Sequence, residues 1–183
     1  MKQLSLSILC VVVLTGCTSS DKAAPLHDAS TAQEHAIETY APSAERRSDV
    51  VAKVQQLFDA LGTGDVELLR AIVDPTVVMH FTEARDGVTT FGNSTVDGLA
   101  DRISADDPPL IERMWDPIVA TNGSLAMLWA PYDFYTGATF SHCGVDAVNL
   151  MKTDDGWRIV GLSWTRLQPP ECDLHPEGPP AAG

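Results

Sequence analysis

The sequence predicts an α+β domain in which N-terminal helices pack on a strongly curved antiparallel sheet. Apolar residues in the first half of the domain recur at helical spacing. From Glu112 to Arg166, four long β-rich runs are separated by Asn122-Gly123, Thr136-Gly137 and Asp155-Gly156. The elements also come in blocks, helices first and most strands last, instead of alternating as in a parallel α/β sheet.

Val50, Val51, Val54, Leu57, Phe58 and Leu61 form one apolar face, which predicts a helix with Ser48 as its N-cap. Gly62 and Gly64 end it. Asp65 caps a second short helix with Leu68, Leu69 and Ile72 inward, stopped by Asp74-Pro75. Thr76 to Thr82 is β-rich, and Asp86-Gly87 turns it toward Val88 to Phe91. Ser94-Thr95 opens a third helix carrying Val96, Leu99 and Ile103, and residues 106–109 (Asp-Asp-Pro-Pro) form a loop before the four-strand block.

The N-terminus carries an address. Met1-Lys2-Gln3 is followed by an apolar run from Leu4 to Leu14, which is too short to span a bilayer and suits a signal peptide. The run ends in Leu14-Thr15-Gly16-Cys17, which resembles the bacterial lipobox. That resemblance implies cleavage after residue 16, lipidation of Cys17, a membrane contact through the lipid alone, and a place in the cell envelope. In a Gram-negative cell that place is the outer membrane, facing the periplasm. Residues 17–47 read as a polar tether in which His27 and His35 are solvated. Residues 48–168 read as one domain, and residues 169–183, rich in Pro and Gly, as an unstructured tail.

Composition narrows the function. A formal charge of −13 excludes a nucleic-acid surface, which needs clustered Lys and Arg. There is no Gly-rich phosphate loop and no Gly-x-Ser-x-Gly elbow. His142, Cys143 and Asp146 do not make a metal site, because neighbours on a strand point to opposite faces. No cofactor is implied. With Cys10 and Cys17 assigned to the leader and the lipid, Cys143 and Cys172 remain, either as a disulfide or as two unpaired thiols.

Over Ser48 to Gln168 the chain resembles the nuclear transport factor 2-like superfamily, especially its SnoaL-like and lumazine-binding-like bacterial branches. The resemblance rests on Trp129-Ala-Pro-Tyr-Asp-Phe-Tyr, Ser141-His-Cys-Gly-Val-Asp-Ala and Gly156-Trp-Arg-Ile-Val. It implies a cone whose sheet wraps a pocket, and pairing of two copies through the sheet. Members include isomerases, dehydratases, cyclases and proteins with no assigned activity, so the fold implies a pocket and not a reaction.

Alternation along the strands sorts the block into two faces. Two-residue turns set Met127 opposite Ile118, Trp129 opposite Asp116, Asp133 opposite Phe140 and Leu150 opposite Gly161 or Ile159. One face then holds Asp116, Met127, Trp129, Asp133, Phe140, His142 and Asp146, and is assigned to the pocket. The other, with Tyr132, Phe134, Cys143, Trp164 and Arg166, suits a dimer interface. A single bulge would exchange part of this assignment. His142 and Asp146 are roughly 13 Å apart along one strand, so Asp133 is the nearer partner for His142. His80 is a further pocket candidate. The expected function is binding of a small, partly apolar molecule. The alternatives are an isomerase or dehydratase using His142 with Asp133 or Asp146, and a dimeric partner-binding module.

Overall fold

The computed structural model describes residues 39–103 and 108–181. The segment expected to be a signal peptide, with Cys17, His27 and His35, lies outside the described residues. Helix α1 runs Ala44–Thr63 and buries Val50, Val54, Leu57, Phe58 and Leu61. Its N-cap is Ser43, whose hydroxyl accepts from the Arg46 N–H at 3.3 Å. Ser48 lies within the helix, so the ordered domain begins earlier than the sequence suggested. The backbone of Tyr40 already pairs with Thr121 at 2.8 Å. Gly64 closes α1 at φ 69°, where a Cβ would stand 2.9 Å from the Ile103 carbonyl. Helix α2, Val66–Ile72, starts at Asp65, which accepts from the Leu68 N–H at 2.8 Å, and buries Leu69 and Ile72. Both features agree with the sequence.

The strands are β1 (Val78–Arg85), β2 (Val88–Thr95), β3 (Leu110–Met114), β4 (Ile118–Asn122), β5 (Leu125–Thr136), β6 (Thr139–Thr153) and β7 (Gly156–Arg166), with helix α3 at Val96–Ile103. They form one unclosed sheet in the order β2-β1-β7-β6-β5-β3, with β4 also paired to β5. The α+β class and the cone architecture hold. The sheet is mixed, however: β1 pairs parallel to β7, and the other pairs are antiparallel.

The expected four-strand block has five strands, because its first run breaks at Trp115-Asp116-Pro117. Asp116 takes φ 44° there. The break falls opposite Pro131, whose carbonyl accepts from the Trp115 N–H at 3.3 Å and which has no N–H to offer that edge. β3 and β4 therefore share one edge of β5, at Tyr132–Thr136 and Leu125–Trp129 respectively.

Two bulges settle the faces. Thr136 pairs with Thr139 and Tyr135 with Phe140, but then Phe134 pairs with His142, leaving Ser141 as the extra residue. On the next pair Leu150 opposes Ile159, as expected, but Asn149 opposes Gly161, leaving Val160 extra. Each bulge exchanges the faces beyond it. Tyr132, Phe134, Trp164 and Arg166 thus join His142 and Asp146 on the concave side, and Asp133 moves to the convex side.

The core is one cluster drawn from α1, α2, α3 and the concave sheet face, from Val50 to Ile159. The unit therefore carries a core of its own. The C-terminal segment is held in place and is not a loose tail. A disulfide joins Cys143 to Cys172, with Cα atoms 5.8 Å apart. The His175 N–H donates to Asp133 at 3.1 Å, and its ring meets Trp115 edge-on at 5.5 Å. A Pro- and Gly-rich segment needs few contacts of its own when a covalent bond fixes it to the sheet.

Candidate functional site

A cavity of about 270 Å³ lies between the helices and the concave face. Helix α1 supplies Leu57, Phe58 and Leu61, and α3 supplies Leu99 and Arg102. The strands supply Phe81, Glu112, Tyr132, Phe134, His142, Asp146, Leu162, Trp164 and Arg166. The buried groups, Tyr132, His142 and Asp146, mark its deep end, and exposed Asn93, Gly98 and Arg102 mark its mouth.

The deep end is built by the approach of β7 to β6. A Cβ at Gly144 would collide with the carbonyl of Thr165. Because residue 144 has none, the Tyr132 hydroxyl donates to the Thr165 carbonyl at 2.7 Å, and Val145 N–H donates to the Thr165 hydroxyl at 3.1 Å. Burial, followed by the nearby Glu112 and Asp146 carboxyls, raises the Tyr132 pKa well above its ordinary value.

Glu112 and Asp146 lie close enough for a hydrogen bond between their carboxyls when one is protonated. Burial raises the Glu112 pKa well above the usual carboxylate range, and the Asp146 charge adds to this. Burial pushes Asp146 up to about 7, while the bond from Glu112 opposes that rise. Two carboxyls this close hold one proton between them near neutrality. Asp146 Oδ2 is buried with no hydrogen-bond partner among the described residues, and so is Arg166 Nε.

His142 sits in the same cavity but bonds to neither acid. Its ring stacks on Phe134 at 4.8 Å and meets Tyr132 edge-on at 5.7 Å, and its Nδ1 is 2.9 Å from the Ser141 hydroxyl. Burial drives its pKa down to about 3, helped by the Arg166, Arg102 and Arg85 charges, so the ring is neutral at pH 7. It can polarise or orient a ligand there without carrying charge.

Several expected pocket residues lie elsewhere. Asp133 is fully buried on the convex side, gripped by Arg113 through Nε at 3.0 Å and a terminal nitrogen at 2.6 Å. It cannot reach His142. Phe140 packs edge-on against Tyr135 at 5.5 Å, outside the cavity. Met127 and Trp129 are 40% and 47% exposed on the convex face. His80 stacks on Phe91 at 5.4 Å on that same face, and Asp116 is exposed at the strand break. Of the expected site, the structure brings together His142 and Asp146. Glu112, Tyr132, Arg102 and Arg166 were missed. Glu112 lies on a strand whose start the sequence shows, Arg102 lies on α3 outside the strand block, and the two bulges hide the faces of Tyr132 and Arg166. Among the described residues, no group of three His, Cys, Asp or Glu is placed to hold a metal ion.

No protein-family model and no curated protein matches the chain. Solved structures do. A nuclear transport factor 2-like superfamily protein from Salmonella enterica serovar Typhimurium superposes with a TM-score of 0.54 at 12% identity, over 70% of this chain and 96% of its own. A candidate dehydratase of the nuclear transport factor 2-like family from Streptomyces avermitilis gives 0.51 at 14% identity, over 69% and 99%. A candidate aromatic ring hydroxylase from Novosphingobium aromaticivorans gives 0.54 at 15%, over 70% and 94%. The fold is nuclear transport factor 2-like. At these identities the likeness extends to the fold alone. In this nuclear transport factor 2-like cone, the cavity chemistry is that of the chain's own Glu112, Asp146, His142 and Arg166.

Proposed function

We propose that the chain is a lipid-anchored envelope protein whose cone cavity binds a small, partly apolar molecule. One observation carries the binding reading: an aromatic and aliphatic cavity holds two buried polar atoms, Asp146 Oδ2 and Arg166 Nε, that have no hydrogen-bond partner among the described residues. Such orphans cost free energy that a bound polar group recovers. The anchor reading rests on the order of Lys2, the apolar run and Leu14-Thr15-Gly16-Cys17. Native mass spectrometry of the protein purified from its own envelope tests the binding. A mass excess lost on denaturation is expected, and bare protein at several ionisation energies counts against it. Labelling with radioactive palmitate, lost in Cys17→Ser, tests the anchor.

A second reading is a proton-transfer enzyme of the isomerase or dehydratase kind. The close Glu112–Asp146 pair favours it, since one carboxyl can accept a proton while the other donates. The acid–base pair is then Asp146 with Glu112, and His142 orients the substrate. The candidate dehydratase from Streptomyces avermitilis has the same fold. The convex face, with Ile118, Met127 and Trp129 exposed, supports pairing with a second copy.

A further inference from the structure

We infer that the cavity ligand is a carboxylate with an apolar body, its charged group held by the guanidinium groups of Arg166 and Arg102. The inference rests on the binding reading above and names the ligand's class.

The chain is strongly acidic, at −13. Most of its arginines near acids are engaged: Arg70 with Asp97, Arg85 with Glu83, Arg113 with Asp133 and Arg158 with Asp74. Arg102 and Arg166 both line the cavity and take part in none of the ion pairs among the described residues. They are close enough for each charge to act on His142, and Arg102 also acts on Arg166. The two acids that share the cavity are turned toward each other. Two guanidinium groups therefore face one cavity; the Glu83 and Glu112 charges act on Arg166, but neither forms an ion pair with it among the described residues.

The pose of Arg166 specifies the partner further. Its guanidinium lies 4.1 Å from the Phe81 ring centre and 5.6 Å from that of Trp164. The Phe81 ring covers one side of the cation, and the buried Nε has no hydrogen-bond partner among the described residues, so the N–H edge is left for an acceptor. A carboxylate matches that edge with two parallel acceptors. An ammonium would meet two like charges. A dianionic phosphate would add a second negative charge beside Glu112 and Asp146. The body of the ligand then lies among Phe58, Leu99, Phe134 and Leu162.

The test uses oxidised protein of residues 18–183, which includes the complete core, and isothermal titration calorimetry with octanoate, octanol and octylamine. Octanoate is expected to bind at least tenfold tighter than octanol, with octylamine weakest. Arg166→Gln and Arg102→Gln should each cut the octanoate-to-octanol ratio at least fivefold while octanol affinity stays put. Thermal melts check folding, and Arg102, exposed on α3, serves where Arg166→Gln does not fold. Equal binding of octanoate and octanol, or preference for octylamine, overturns the carboxylate inference and leaves the cavity reading standing. Failure of all three to bind overturns both.

Discussion

Glu112 and Asp146 face each other inside the cavity, where burial raises both carboxyls and the Asp146 charge raises Glu112 further. Asp146 is 2% exposed and its pKa goes from 3.8 to about 7. A raised folded-state pKa on an acid means the native state binds more protons than the unfolded chain between those two values. Stability from this pair is therefore full below about pH 4 and is lost as pH rises toward 7. Asp146→Asn keeps the shape and removes the titration. The variant should gain on the wild type by on the order of 1–3 kcal/mol between pH 5 and pH 8. Urea unfolding of both proteins across that range checks it, and a constant difference would show that the pair does not share a proton.

Asp133 is a buried acid with different surroundings. It has a bidentate cation and a backbone N–H, so the charged form is satisfied. Removing the cation strands a fully buried carboxylate. Arg113→Ala should cost about 3–5 kcal/mol in denaturant unfolding, the range for breaking a buried pair. Ligand binding in the cavity should survive in the fraction that folds, because Asp133 is on the other side of the sheet. Loss of binding at full stability would return Asp133 to the site.

These two acids also show how much was legible in the sequence. Helix faces, the Asp65 cap and turn glycines are local, so the buried face of α1, α2 and the hairpins could be read from spacing, whereas the α1 cap, expected at Ser48, lies at Ser43. The first two turn positions were each two residues off in register, an even slip that preserves side-chain faces. Ser141 and Val160 are odd insertions, and each inverts everything beyond it. No Gly or Pro adjoins Ser141 to mark the first, and Gly161 beside Val160 is a sign of the second that the turn counting did not use. His142 and Asp146 stayed together because they sit on one strand beyond the same bulge. Asp133, on the partner strand, was placed beside His142 and lies behind it. The disulfide was left open for the same reason, since its geometry depends on where β6 and the tail meet in space.

The disulfide closes a segment with a sequence separation of 29. The chain-entropy relation gives about 3–4 kcal/mol for a loop of that size. Cys172→Ser should lower stability by that amount and free the segment that covers Asp133. Limited proteolysis checks it: cleavage after Gln168 should appear in the variant and in reduced wild type, but not in oxidised wild type. Equal resistance in all three would mean that His175 and its neighbours hold the tail without the covalent bond.

The convex face makes the last prediction. Ile118, Met127 and Trp129 lie together on β4 and β5, each more than a third exposed. A monomer leaving such a patch in water forfeits about 25 cal/mol for each Å² that a second copy would cover. The protein should therefore sediment as a dimer, and Trp129→Asp should sediment as a monomer. A charge there has to be desolvated in the dimer and stays hydrated in the monomer. Because Trp129 is outside the cavity, octanoate affinity should match the wild type. A monomeric wild type would sink the dimer. A dimeric Trp129→Asp would move the interface to another part of the surface.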